Sequence, residues 1–163
     1  MSEQRVGIGF DAHRFAEGRP LVLGGVRMEH PRGLEGWSDA DALLHAIADA
    51  ILGAAALGDI GRHFPPDDVA WRDADSREIL EAAVALVSRD GWSVENVDAT
   101  VLAEAPRIGP HSDAMRAAIA AACRIEEGRV SVKATTMEGM GFVGREEGIA
   151  AMAVALLTRG ESR

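Results

Sequence analysis

Asp11 and His13 stand two residues apart at the end of a stretch in which Val6, Ile8 and Phe10 alternate with Gly7 and Gly9. That alternation is the period of a β-strand, so the carboxylate and the imidazole leave the same face. Gly7 and Gly9 precede them on that face and leave it uncrowded. The opposite face, Val6, Ile8, Phe10 and Ala12, reads as the core side. A second imidazole, His45, falls in an apolar-periodic segment with Asp41 and Asp49 at four-residue spacing on either side, one helical turn away on the same face. One carboxylate and two imidazoles give three protein ligands and leave a fourth position open, which is the pattern of a working zinc site. A metal-bound imidazole commonly donates its other N–H to a carboxylate or carbonyl. Asp49 is the expected orienting partner of His45, with Asp41 the alternative. By spacing alone, Asp-x-His at a strand end is equally compatible with a polar surface turn. His30, His63 and His111 lie in loops or near a helix start and read as solvent-facing or locally hydrogen-bonded.

The elements that must position these groups alternate between strand and helix. Residues 21–28, with Gly24-Gly25 in the middle, read as a strand with a bend or bulge. A helix is expected over 38–56, with Ser38 as N-cap and Leu44, Ile47, Ile51 and Ala55 as its apolar stripe. Asp75 caps a second helix, Ser76–Arg89. Pro110 opens a third, with Met115, Ile119 and Cys123 inward. Strands are expected at 92–103, 130–135 and 148–158. The last is apolar on both faces, so both faces should be covered. In a chain of 163 residues, closed threefold symmetry would cover the second face. The expected class is α/β or α+β: a single domain, 1–163, with a mostly four- to five-stranded mixed sheet under about three helices, assembling as a homotrimer.

Composition narrows the function. A net charge of −9 and no basic face argue against a nucleic-acid partner. No stretch reaches the ~20 apolar residues of a membrane span. The single cysteine, Cys123, permits no internal disulfide and reads as a small buried hydrophobe. The short polar start lacks the apolar run of a signal peptide, so the expected location is the cytoplasm.

Several further blocks stand in a fixed order along residues 7 to about 157. They are Gly9-Phe10-Asp11-Ala12-His13; Ser38-Asp39-Ala40-Asp41 followed by His45; Leu57-Gly58-Asp59-Ile60-Gly61 with Phe64-Pro65; Ala74-Asp75-Ser76-Arg77; Ala105-Pro106-Arg107 with Pro110-His111; and Lys133-Ala134-Thr135-Thr136, Glu138, Gly141-Phe142, Gly144-Arg145 and Glu147-Gly148-Ile149. In this order they resemble the 2-C-methyl-D-erythritol 2,4-cyclodiphosphate synthase family. The resemblance implies zinc, or another divalent transition metal, on Asp11, His13 and His45. It implies a magnesium or manganese ion on Glu138, one of each ion per active site. Ser38 and Thr136 would act on phosphates during catalysis, with Lys133, Ala134 and Thr135 beside them. Asp59, Ile60 and Gly61 would meet the sugar alcohol, with Phe64, Asp67 and Asp68 nearby. Ala103, Ala105, Pro106 and Arg107 would form a cytidine pocket through the main chain. Phe142 and Arg145 would line the central channel of a homotrimer whose active sites lie between subunits. Two positions depart from the family pattern. Trp37 replaces a usual histidine credited with stabilising the transition state, and Pro66 stands where some members have Asp. As the residue before the expected N-cap, Trp37 would pack weakly on Ala42.

The implied substrate is a CDP-linked methylerythritol 2-phosphate. Its own anionic 2-phosphate attacks the β-phosphorus, so no general base is needed. The chain has no evident Ser/His/Asp or Cys/His set that would supply one. What the reaction does need is relief of phosphate repulsion by metals, hydroxyls and main-chain N–H groups, together with positioning, which can contribute up to about 7–11 kcal/mol. Taken without the resemblance, Thr135-Thr136 reads as strand, Glu138 as a solvated turn residue, and Arg145 with Glu146 and Glu147 as a surface ion-pair cluster. A zinc phosphoester hydrolase and a trimeric binding module are the competing functions.

Overall fold

The computed structural model describes residues 2–66 and 68–160. Strand β1 (Glu3–Ala16) is followed by β2 (Leu21–Leu23), β3 (Val26–Met28) and β4 (Gly33–Leu34). Helices α1 (Ala42–Ala54), α2 (Ile60–His63) and α3 (Ser76–Arg89) come next. Then follow β5 (Trp92–Leu102), α4 (Ser112–Cys123), β6 (Val130–Thr135), α5 (Gly141–Gly144) and β7 (Gly148–Arg159). Five strands form one mixed sheet in the order β4-β1-β7-β5-β6, in which only β5 and β6 run parallel. The expected fold class holds, with two short helices added to the three long ones.

The two sides of β1 are reversed relative to the sequence reading. Gly7 and Gly9 face the core, and Val6, Ile8 and Phe10 are 67%, 65% and 57% exposed in the single chain. The cause is helix α1. It presents Ala46, Ala50 and Ala54, one turn apart, and packs so closely that a Cβ on Gly9 would lie 1.9 Å from the Ala46 carbonyl oxygen, and one on Gly7 2.0 Å from that of Ala50. Only a residue without a side chain admits that approach. On the other face, β1 and β7 set Phe10 opposite Met152 and Ile8 opposite Val154, and all four side chains are exposed.

Two boundaries also differ. The N-cap of α1 is Asp41, not Ser38; its carboxylate accepts from the Leu44 N–H at 3.0 Å. The same buried carboxylate accepts from Gly24 N at 2.9 Å and Gly25 N at 2.7 Å. Those glycines are not a bulge. With φ of +59° and +73° they form the two-residue turn joining β2 to β3. At the third helix, Gly109–His111 make a 3₁₀ turn and α4 begins at Ser112. Asp75 caps α3 as expected, by accepting from Arg77 N at 2.9 Å.

A candidate metal centre and two clefts

The close approach of α1 to β1 carries His45, in the first turns of the helix, onto the side chains of Asp11 and His13. Asp11 Oδ2 lies 2.8 Å from His13 Nε2 and 3.1 Å from His45 Nδ1, and the two ring nitrogens are 3.3 Å apart. Both outward-facing ring nitrogens are engaged. His13 Nδ1 donates to the Glu35 carbonyl at 2.7 Å, and His45 Nε2 lies 2.9 Å from Ser76 Oγ and 3.3 Å from Ser38 Oγ. A neutral imidazole that donates from one nitrogen offers a lone pair at the other. Three electron-pair donors therefore face one point. Their separations suit the ~3.3 Å edge of a tetrahedron with ~2.0 Å bonds, the geometry of zinc with nitrogen and oxygen ligands. Asp11, His13 and His45 thus fit a divalent transition metal. Burial opposes ionisation of Asp11, yet hydrogen bonds and charge from protons on the two facing ring nitrogens, which a bound cation would displace, hold the carboxyl well below its usual range. Burial likewise opposes charging of His13, and Asp11 outweighs it, so the imidazole is raised above its ordinary value.

Asp49 does not orient His45. Its carboxylate accepts from the Ile60 N–H at 3.0 Å and ties α1 to α2. Asp41 is taken up by its cap and by the glycine turn. The partner is Ser76, fully buried at the first position of α3. Ser76 lies 31 residues beyond His45, and no spacing rule connects the two. The loop before α1 is braced by Arg19, which donates to the carbonyls of Gly36, at 2.6 Å, and of Ser38.

The triad sits in a cleft of about 240 Å³ that is also lined by Trp37, Ser38, Ile60, Gly61, Phe64 and Pro66, among others. Trp37 does not staple to Ala42. Its indole N–H donates to the Asp68 carbonyl at 3.1 Å, and the Arg72 guanidinium lies 4.6 Å over the ring. Asp59 caps α2, accepting from Arg62 N at 2.9 Å. The carboxylate of Asp68 accepts from Ala70 N. Asp67 lies outside the described residues.

A second cleft, of about 360 Å³, opens beyond the C-terminal ends of the parallel strands β5 and β6. Ala103, Pro106, Arg107, Ala134, Thr135 and Thr136 line it, with Glu104, Ile108, Gly109 and Pro110. Glu104 accepts from Met137 N at 2.8 Å and Gly139 N at 3.4 Å, and so holds the loop that carries Thr136 and Glu138. Thr136 Oγ1 is 3.3 Å from Glu138 Oε1, and Glu138 is exposed with φ of +52°. Ala105 does not line this cleft. Lys133 turns away to pair with Asp98 at 2.6 Å, which keeps that carboxyl below its usual range. Phe142 and Arg145 line neither cleft; the Arg145 guanidinium pairs with Glu147 at 2.6 Å. Across the sheet Asp11 pairs with Ala151, Ala151 with Val101, and Val101 with Ala134. Two strand spacings lie between β1 and the wall of the second cleft at Ala103, and three between β1 and the wall at Ala134 and Thr135, roughly 10–14 Å.

Among the described residues, no helix is long and apolar enough to cross a membrane. The model of the YgbB family matches residues 4–158. A Salinibacter ruber protein named 2-C-methyl-D-erythritol 2,4-cyclodiphosphate synthase is 59% identical over 153 residues, which is 94% of this chain and 98% of that protein. A Bordetella avium protein of the same name is 61% identical over 155 residues, 95% and 96% of the two chains. Among solved structures, a 2C-methyl-D-erythritol-2,4-cyclodiphosphate synthase in its CDP-bound form superposes with a TM-score of 0.86 at 37% identity, covering 94% of this chain and 99% of its own. The bifunctional IspDF of Campylobacter jejuni superposes with a TM-score of 0.94 at 42% identity; the match covers 99% of this chain and 44% of that protein. Sequence, fold and site together place the chain in the YgbB family, that of the 2-C-methyl-D-erythritol 2,4-cyclodiphosphate synthases.

Proposed function

We propose that the chain converts 4-diphosphocytidyl-2-C-methyl-D-erythritol 2-phosphate to 2-C-methyl-D-erythritol 2,4-cyclodiphosphate and CMP, a step of the non-mevalonate route to isoprenoid precursors. A 2-phosphate oxygen forms a bond to the β-phosphorus. The bond from that phosphorus to the bridging oxygen breaks, and CMP leaves with the bridging oxygen. The observation that carries this reading is the convergence of Asp11, His13 and His45, whose outward nitrogens are already engaged, in a cleft on a fold whose relatives bear the enzyme's name. A zinc-type ion there and a magnesium-type ion at Glu138 would neutralise phosphate charge as it develops.

The chain's own groups do the rest. Ser38, at the rim of the metal cleft, and Thr135 and Thr136, at the end of β6, offer hydroxyls to phosphate oxygens. Ala103, Pro106 and Arg107 shape the recess for the nucleotide. Asp59, Ile60, Gly61 and Phe64, with Asp67 and Asp68, would hold the sugar alcohol. The ~10–14 Å between the clefts supports an active site shared by neighbouring copies, the metal half from one and the nucleotide half from the next. The apolar face of Val6, Ile8, Phe10, Met152 and Val154 would then be buried inside a homotrimer, with Phe142 and Arg145 near its axis.

CMP release measured after chelation tests the metal requirement. The stripped protein should be inactive, and zinc together with magnesium should restore it where neither alone does. Full CMP release by thoroughly stripped protein would contradict the reading.

A further inference from the structure

The hydrogen bonds behind His45 run in one direction. Asp39 Oδ1 faces Ser76 Oγ, and Asp39 Oδ2 accepts from the Ser76 N–H at 3.1 Å. The Ser76 hydroxyl gives its proton to Asp39, whose two oxygens also accept from main-chain N–H groups. Ser76 Oγ then turns lone pairs toward His45 Nε2, 2.9 Å away. His45 can meet them only as a donor from Nε2; a neutral ring then carries its lone pair on Nδ1, the atom that faces His13 and lies 3.1 Å from Asp11 Oδ2, so the relay opposes the proton that Asp11 would draw to Nδ1. Ser38 Oγ is a weaker partner, at 3.3 Å, and already accepts from the Ala40 N–H at 3.2 Å. The inner two members are buried, His45 7% exposed and Ser76 0%, and Asp39 at the outer end is half-buried. Asp39 is held in turn, accepting from the Asp41 N–H at 3.2 Å and donating its own N–H to the Ala74 carbonyl at 3.2 Å.

We propose that Ser76 and Asp39 are positioning residues of the metal centre: a directional relay, Asp39 to Ser76 to His45, that fixes the His45 tautomer with its free electron pair on the metal side. His13 is set by a main-chain carbonyl, which no substitution removes; His45 is set by two side chains on two other segments. The relay couples the loop before α1 and the first turn of α3 to the affinity of the site. The inference rests on the metal reading of Asp11, His13 and His45.

The test uses the full-length, metal-free protein. Nitrogen-15 NMR of the imidazoles at pH 8, with His45 assigned by loss of its signals in His45→Gln, reads the tautomer directly. The wild type should show His45 protonated on Nε2. Asp39→Asn keeps the shape and supplies an amide donor that can reverse the serine hydroxyl, so the Nδ1-protonated form should grow. Zinc affinity, measured by competition with a chromophoric chelator, should fall about 10- to 100-fold in Asp39→Asn and in Ser76→Ala, with the thermal midpoint of the metal-free Asp39→Asn protein near that of the wild type. If Ser76→Ala fails to fold, Asp39→Asn alone decides the matter. An Nδ1-protonated His45 in the wild type, or wild-type zinc affinity in Asp39→Asn, would overturn the relay while leaving the metal site standing. Unchanged zinc affinity in His45→Gln would overturn the metal site and the relay together.

Discussion

Trp37 brings an uncharged ring to the rim of the metal cleft, and its one N–H is taken by the Asp68 carbonyl. It therefore has no donor left for a phosphate, where the resemblance puts a histidine in most relatives. Supplying one well-placed donor to developing charge is commonly worth about 10²–10³ in rate. Trp37→His should raise kcat, by about tenfold or more, without changing zinc content; steady-state kinetics with metal analysis reads both, and an unchanged or lower kcat would show the loop adapted to the indole. Cys123 is the opposite case, a residue with no part in the chemistry. Burial pushes its thiol up to about 12, so almost no thiolate forms near neutral pH. A thiol reagent such as Ellman's should label it only after denaturation, and labelling of the native protein within minutes would contradict the packing described. Asp11 and His13 were legible because a strand's period of two assigns side chains to faces. Asp49 was misassigned because four-residue spacing speaks only of its own helix, whereas the outer nitrogen of His45 points across to α3.

Among the elements, the contact of α1 with β1 decides whether a site exists. Gly9→Ala would drive a methyl into the Ala46 carbonyl, 1.9 Å from the ideal Cβ position. The helix must then lift from the strand, and His45 with it. Overpacking of this kind costs roughly 1–3 kcal/mol and occasionally more; with main chain as the obstacle we expect the upper end, about 3 kcal/mol. Denaturant unfolding should show that loss, with weaker zinc binding beside it, and a fully stable Gly9→Ala protein that binds zinc normally would disprove the contact. The alternation in β1 was readable from the sequence, but which side was core was not. Large apolar residues usually mark the inside, and the signal to the contrary, the four-residue alanine spacing in α1, lies more than thirty residues away. The start of α1 was misplaced for a related reason. Ser38 is a good cap by type, but the residue that reaches the Leu44 N–H is Asp41.

At the scale of the whole molecule, the sheet leaves one apolar face uncovered in the single chain and sets the metal-type cleft apart from the second cleft. The proposed trimer accounts for both. Ile8→Asp places a charge at a position 65% exposed in the isolated chain, where an ordinary surface substitution would alter stability by no more than about 0.5 kcal/mol. If the face is a subunit interface, light scattering should instead show the trimer breaking into monomers and activity disappearing with it; an active trimer carrying Ile8→Asp would refute that packing. A second apolar face was foreseeable from the alternation of the last strand, whereas the strand spacing between the clefts had to be read from the sheet register. Ring closure, as against hydrolysis, is decided by the phosphorus-31 spectrum of the products. Incubation of the metal-loaded protein with 4-diphosphocytidyl-2-C-methyl-D-erythritol 2-phosphate should give CMP and the pair of mutually coupled resonances of a cyclic diphosphate in equal amounts; CMP beside the uncoupled signals of a linear bisphosphate would contradict the account and make the protein a hydrolase.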